Sequence, residues 1–164
     1  MFAFAVISVQ AQASNKLYGY SQIITPGVRA TADVDMDGNV IKKPVKTNYD
    51  YSIYLTTALK TKVYPLEVWI KGNAYSAKIE TIAHTPVEHT NSPVLNQSQK
   101  NVLVPKTTQK VVKLIPTAAV AIKSTRKVKQ LAKSNELVVV YKQGGKTYYK
   151  TIKKFMELEP LSLQ

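Results

Sequence analysis

Alternation of apolar and polar side chains is clearest at positions 49–55, where Tyr49, Tyr51, Ile53 and Leu55 interleave with Asp50, Ser52 and Tyr54. A period of two places the first set on one face of a β-strand and the second on the other. Positions 63–71 repeat the pattern, with Leu66, Val68 and Ile70 opposed to Glu67, Trp69 and Lys71. At 75–81, Tyr75, Ala77, Ile79 and Thr81 alternate with Ser76, Lys78 and Glu80. Lys71-Gly72-Asn73-Ala74 joins the second and third runs by a tight turn, so the three predict an antiparallel meander with one buried face. Pro65 cannot donate to a ladder, which puts its end of the second strand at an edge or a bulge.

Positions 17–25 (LYGYSQIIT) predict a first strand stopped by Pro26-Gly27, with a second strand at 28–34. Apolar runs at 102–104, 110–115 and 118–122, punctuated by Pro105 and Pro116, predict three more short strands. Ser124 is expected to cap a short helix carrying Val128, Leu131 and Ala132 on one side, with Asn135 at its exit. Positions 137–142 and 147–154 flank Gln143-Gly144-Gly145-Lys146, a hairpin whose glycine pair permits positive φ. Positions 83–101 are rich in Thr, Asn, Ser, Gln and Pro without sustained periodicity, and predict a long polar loop. The segment 155–164 is weakly patterned, and Pro160 argues against a strand there. Short strands joined by turns define an all-β class. The expected architecture is an antiparallel two-layer β-sandwich (Ig-like or transthyretin-like), with a closed β-barrel of lipocalin type as the alternative. In it Val112, Leu114, Val139 and Tyr141 are buried while the lysines project outward.

The length of 164 residues fits one domain, and 45% hydrophobic with 20% charged residues fits a folded chain. The absence of cysteine excludes disulfides, thiolate metal sites and a cysteine nucleophile. Positions 1–13 read MFAFAVISVQAQA, an apolar run followed by Ala11-Gln12-Ala13. This resembles the end of a secretory signal peptide with cleavage after Ala13, although no Lys or Arg precedes Lys16 to form a basic n-region. The expectation is a signal-peptide-like segment at 1–13, a single β domain at 14–164, and a periplasmic or secreted location. No other run approaches the roughly 20 apolar residues of a transmembrane span.

Charge sharpens the picture more than composition does. The net charge is +13, and fourteen of the 23 Lys and Arg residues lie between Lys100 and Lys154 beside one acid, Glu136. The rest of the chain is neutral. Such asymmetry points to an anionic contact through Lys123, Arg126, Lys127, Lys129, Lys133, Lys142, Lys146 and Lys150. The order of bases over 125–130 resembles a short pattern of heparin-binding segments. Lys142, Lys146 and Lys150 interleave with Tyr141, Tyr148 and Tyr149, which would suit single-stranded nucleic acid in a chain that is not exported.

Two groups could hold a metal. Asp33, Asp35 and Asp37 with Gly38 match the first part of a calcium loop, but Pro44 stands where the closing Glu belongs, so a hairpin turn is expected and calcium is the weaker reading. His84, Glu88 and His89 share the polar loop, where nothing fixes their geometry. No nucleophile elbow, zinc-protease motif or phosphate loop occurs. The expectation is therefore an exported, non-enzymatic binding or structural protein, with no catalytic residues and no cofactor. Its partner would be an anionic glycan, an envelope lipid or an acidic protein. A small-ligand carrier with a tyrosine-lined cavity and a nucleic-acid-binding module are the alternatives.

Overall fold

The computed structural model describes residues 15–25, 33–34, 37, 40–41, 48–90, 100–119 and 124–162. In chain order the elements among them are β1 (Leu17–Thr25), β2 (Asp33–Val34), β3 (Val40–Ile41), β4 (Asn48–Thr57), β5 (Val63–Ile70) and β6 (Asn73–Ile82). They continue with β7 (Val87–Thr90), β8 (Lys100–Val104), β9 (Lys110–Ala119), α1 (Arg126–Ser134), β10 (Leu137–Gln143), β11 (Lys146–Ile152) and β12 (Met156–Ser162). The chain is all-β, as the alternation requires. Eight strands join in one sheet of order β11-β10-β5-β6-β9-β4-β1-β12, curled into a half-barrel. The antiparallel expectation needs one correction: β12 runs parallel to β1, with Tyr20 opposite Met156, so the sheet is mixed.

Curling lets one sheet bury both of its faces. The inner face gathers Ile53 and Leu55 of β4, Val68 and Ile70 of β5, Val112 and Leu114 of β9, and Leu137, Val139 and Tyr141 of β10, with Phe155 closing the group. On the outer face Val138 and Val140 meet α1, while Tyr54, Tyr20 and Val111 are covered by Leu103 and Val104 of β8. Burial on both sides explains why positions 137–141 read as an unbroken apolar run (LVVVY) where β6 alternates. The four residues expected in the core, Val112, Leu114, Val139 and Tyr141, are all buried.

The two predicted glycine turns are present. Lys71 and Gly72 have φ of 46° and 83°, Gly144 and Gly145 have 56° and 78°, and each pair forms a two-residue hairpin loop between Ile70 and Asn73 or Gln143 and Lys146. The expected bulge at Pro65 is also there. Val140 pairs with Glu67 but Tyr141 with Pro65, so Leu66 is the extra residue and is 41% exposed.

Other expectations are revised. Pro116 does not end a strand: β9 runs through it, shifting register against β6 and passing beyond the last β4 pair at Leu114. Pro160 sits within β12, where an edge strand tolerates the missing N–H. The segment 83–101 is not loop throughout, because Val87–Thr90 and Lys100–Val104 pair antiparallel; residues 91–99 lie outside the described residues. The signal-peptide-like segment expected at 1–13 and most of the predicted strand at 28–34 lie outside them as well. The hairpin expected around Gly38 is represented by its ladder, Asp33 opposite Ile41 and Val34 opposite Val40.

Closure of the half-barrel passes through Gly19. A Cβ built there would lie 2.9 Å from Leu137 Cδ2, 3.0 Å from Ile152 Cδ1 and 3.1 Å from Phe155 Cε1. Leu137 is fully buried and cannot swing aside. Gly19→Val is expected to cost about 1–3 kcal/mol through overpacking, read as a lower urea midpoint; an unchanged midpoint would show that β1 does not limit closure.

Candidate functional site

The basic segment over 125–134 is helical because its apolar residues recur at helical spacing. Val128, Leu131 and Ala132 fall on one face and pack on Val138, Val140, Trp69 and Tyr149. Thr125, not the expected Ser124, is the N-cap, its Oγ1 accepting from the Val128 N–H at 3.4 Å. Ser124 instead donates to Glu67 Oε2 at 2.6 Å, and the same oxygen accepts from Trp69 Nε1 at 2.7 Å. One β5 carboxylate therefore ties the entry of the helix to the sheet. Asn135 serves the exit as expected, donating to the Leu131 carbonyl at 2.9 Å.

This packing turns the polar face of α1 outward. Arg126, Lys127, Lys129 and Lys133 are exposed, and Lys127 Nζ lies 4.5 Å from the Tyr149 ring centroid, a cation–π contact. The final hairpin divides the remaining candidates. Lys142 is two residues from Val140 and pairs with Thr147, so it shares the outer face with α1. Lys150 pairs with Val139 and Lys146 with Gln143, which puts both on the inner-face side of the edge strand β11. The structure thus brings Arg126, Lys127, Lys129, Lys133 and Lys142 to one side and separates Lys146 and Lys150 from them. Lys123 lies outside the described residues.

Among the described residues the ion pairs are Lys100–Glu88 at 3.3 Å and Lys154–Glu157 at 3.2 Å. No base of α1, β10 or β11 takes part in either. Among the described residues the solvated face of α1 thus carries basic side chains that no ion pair engages.

The tyrosines of the hairpin are mostly packing. Tyr141 is buried and stacks on its cross-strand partner Tyr148 at 5.6 Å, and Asn15 Nδ2 donates to its hydroxyl at 3.0 Å. Tyr149 is taken up by Lys127 and α1. Tyr148 stays 40% exposed, and Tyr64, opposite Lys142, is 58% exposed.

Of the two metal candidates, the one in the polar segment does not assemble, and the other lies mostly outside the described residues. Glu88 and His89 are consecutive on β7 and point to opposite faces, Glu88 is paired with Lys100, and His84 is exposed. No group of three His, Asp or Glu residues converges among the described residues. Asp37 is exposed, while Asp35 and the side chain of Asp33 lie outside the described residues. No helix among the described residues is long and apolar enough to cross a membrane.

Sequence reasoning passed over Lys71, which with Lys153 of the basic stretch borders the same end of α1 as Lys133. They meet through a ladder linking positions 71, 136 and 153, and no local pattern marks so distant a pairing. No protein-family model, curated protein or solved structure matches the chain.

Burial raises the pKa of Tyr20, Tyr51 and Tyr141 above the ordinary value near 10, since a phenolate there would lose its hydration. Neighbouring tyrosines add to the rise at all three, and the Asn15 hydrogen bond offsets part of it at Tyr141. A folded-state pKa above the unfolded one leaves stability intact below pH 10 and withdraws it as the pH climbs through the raised values. Near-ultraviolet titration of the ten tyrosines is expected to show late ionisation coincident with unfolding, and Tyr141→Phe to remove part of that late phase. Complete ionisation without unfolding would contradict this.

Proposed function

We propose that the chain is an exported, non-enzymatic protein that binds an anionic partner through its basic C-terminal half. Acidic glycan, envelope lipid and acidic protein are the partner classes that this charge suits. The observation that carries the reading is the side of the fold formed by α1 and the outer face of β10. There Arg126, Lys127, Lys129, Lys133 and Lys142 stand together with no ion-pair partner among the described residues. Cations fixed on a rigid helix attract polyanions over a Debye length and lose that attraction as salt rises.

The carrier alternative needs an internal cavity, and among the described residues the packing argues against one: ten buried side chains fill the inner face and Gly19 has no room for a Cβ. The nucleic-acid alternative needs open aromatic faces beside the lysines; Tyr141 and Tyr149 are already engaged, while Tyr148 and Tyr64 are exposed, so that alternative stands or falls with export. For the architecture, the curl of one continuous sheet favours the barrel-type reading over two separate layers, since β1 comes into contact with β11.

On a heparin column the chain is expected to elute at higher salt than an unrelated protein of equal net charge. Elution at the same salt would reduce the basic half to a solubilising surface. Sequencing the mature chain from its native host is expected to begin at Ser14; an intact Met1 would remove export from the reading and return nucleic acid to consideration.

A further inference from the structure

One end of the half-barrel is basic in every segment that leaves it. β1 begins there, since Leu17 pairs with Leu55. β4 and β9 meet that end at Thr57 and Lys110, β6 and β9 at Ile82 and Val111, and β5 and β10 at Val63 and Gln143. The segments beyond these pairs, 15–16, 58–62, 83–86, 105–109 and 143–146, contain Lys16, Lys60, Lys62, Lys106 and Lys146 and no Asp or Glu. All five lysines are exposed, and none takes part in an ion pair among the described residues. The opposite end is mixed, with Glu136 bonded through its backbone to Lys71 and Lys153.

Hydrogen bonds hold this rim in place. Asn15 Nδ2 donates to Gln143 Oε1 at 2.6 Å and the Lys16 N–H donates to Thr56 Oγ1 at 2.8 Å, so the start of β1 bridges β10 and β4. Thr85 Oγ1 donates to the Thr107 carbonyl and accepts from the Thr107 N–H, both at 3.2 Å. The Thr61 N–H donates to the Ala58 carbonyl at 3.1 Å, closing a four-residue turn with Leu59 and Lys60 at its tip.

Turn tips favour Gly, Asn, Asp, Ser and Pro. Leu59 is 70% exposed, more than any other large apolar residue among the described residues. A lone exposed leucine is ordinary, but this one is followed by Lys60 and Lys62, and Tyr64 is exposed at the start of β5, opposite Lys142. A glycan or nucleic-acid backbone would engage the lysines and leave Leu59 in water. A bilayer interface engages both, because cations meet the lipid phosphates while leucine and tyrosine enter the boundary of the acyl region.

We infer that this rim docks on an anionic bilayer surface, with Leu59 inserted at the interface and Lys16, Lys60, Lys62, Lys106 and Lys146 facing the lipid phosphates. The inference goes beyond the α1 surface and does not rest on it, since none of the five lysines belongs to that surface.

The chain has no cysteine, so Leu59→Cys and Ser134→Cys each take a single nitroxide label. One label sits at the rim and the other beside Lys71 and Lys153 at the opposite end. The full chain is mixed at low salt with vesicles of phosphatidylcholine and phosphatidylglycerol, with a heparin octasaccharide as a second probe. The label at 59 is expected to become accessible to lipid-phase oxygen and shielded from an aqueous nickel chelate, while the label at 134 stays aqueous. Leu59→Ser should weaken vesicle binding by about threefold or more, and Lys60→Gln with Lys62→Gln by about tenfold or more, through lost insertion and lost phosphate attraction. Lys71→Gln with Lys153→Gln removes equal charge from the opposite end and should weaken it by less than about threefold. All five positions are exposed, so the core is untouched, and any contribution of positions 1–13 is common to every variant. Equal weakening by the two lysine pairs, or a label at 59 that stays aqueous on bound vesicles, would overturn the rim as the docking surface. If the Lys60 and Lys62 pair weakens octasaccharide binding as much as vesicle binding while Leu59→Ser changes neither, the rim is a glycan contact and the lipid inference falls. Failure of the unmodified chain to bind the vesicles would also overturn it, and retention on heparin would then leave the α1 reading standing.

Discussion

The fold depends on one steric constraint: a single sheet must curl far enough for its inner face to fill itself. Closure requires β1 to approach Leu137 and Ile152 more closely than any side chain at position 19 would allow. Glycine there is a packing requirement, not a turn residue. Once closure is made, the apolar residues of β4, β5, β9 and β10 bury one another, and at about 25 cal/mol per Å² of apolar surface that burial is the main stabilising contribution. The hairpin β7–β8 and helix α1 then cover apolar residues on the outer face, forming two further clusters.

This arrangement decides where the positive charge can go. On β10 both faces are occupied over Leu137–Tyr141, so no lysine fits until Lys142. The bases are displaced to the exposed side of α1, to the edge strand β11, and to the ends of the ladders. An edge strand carrying Lys146 and Lys150 also resists pairing with other chains, a use of lysine that needs no ligand. The helix differs, because its lysines do not guard an edge. They stand on its solvated face, outside the ladder that the backbone bonds on either side of Glu136 extend.

Much of the local structure was legible. Period-two alternation located β4, β5 and β6, a Lys-Gly and a Gly-Gly step located two turns with positive φ, and Pro65 located a bulge. Each of these signals acts over a few residues. Pro116 and Pro160 misled for the opposite reason: whether a missing N–H matters depends on which neighbouring strand would have received it. The parallel pairing of β12 with β1 joins positions more than a hundred residues apart, and nothing local distinguishes a strand that pairs in that way.

The amino-acid sequence by itself determined the all-β class, the amphipathic helix, the turn positions and the concentration of charge in one third of the chain. These follow from side-chain periodicity, backbone permissiveness and residue counts, all of which are properties of short segments. Tertiary structure decided which bases share a face. It separated Lys146 and Lys150 from Lys142 through the hairpin register, and placed the Lys71 ammonium over the Tyr49 ring of a strand not adjacent to its own. Such groupings depend on strand order and on the curl of the sheet, which arise only when distant segments bury one another.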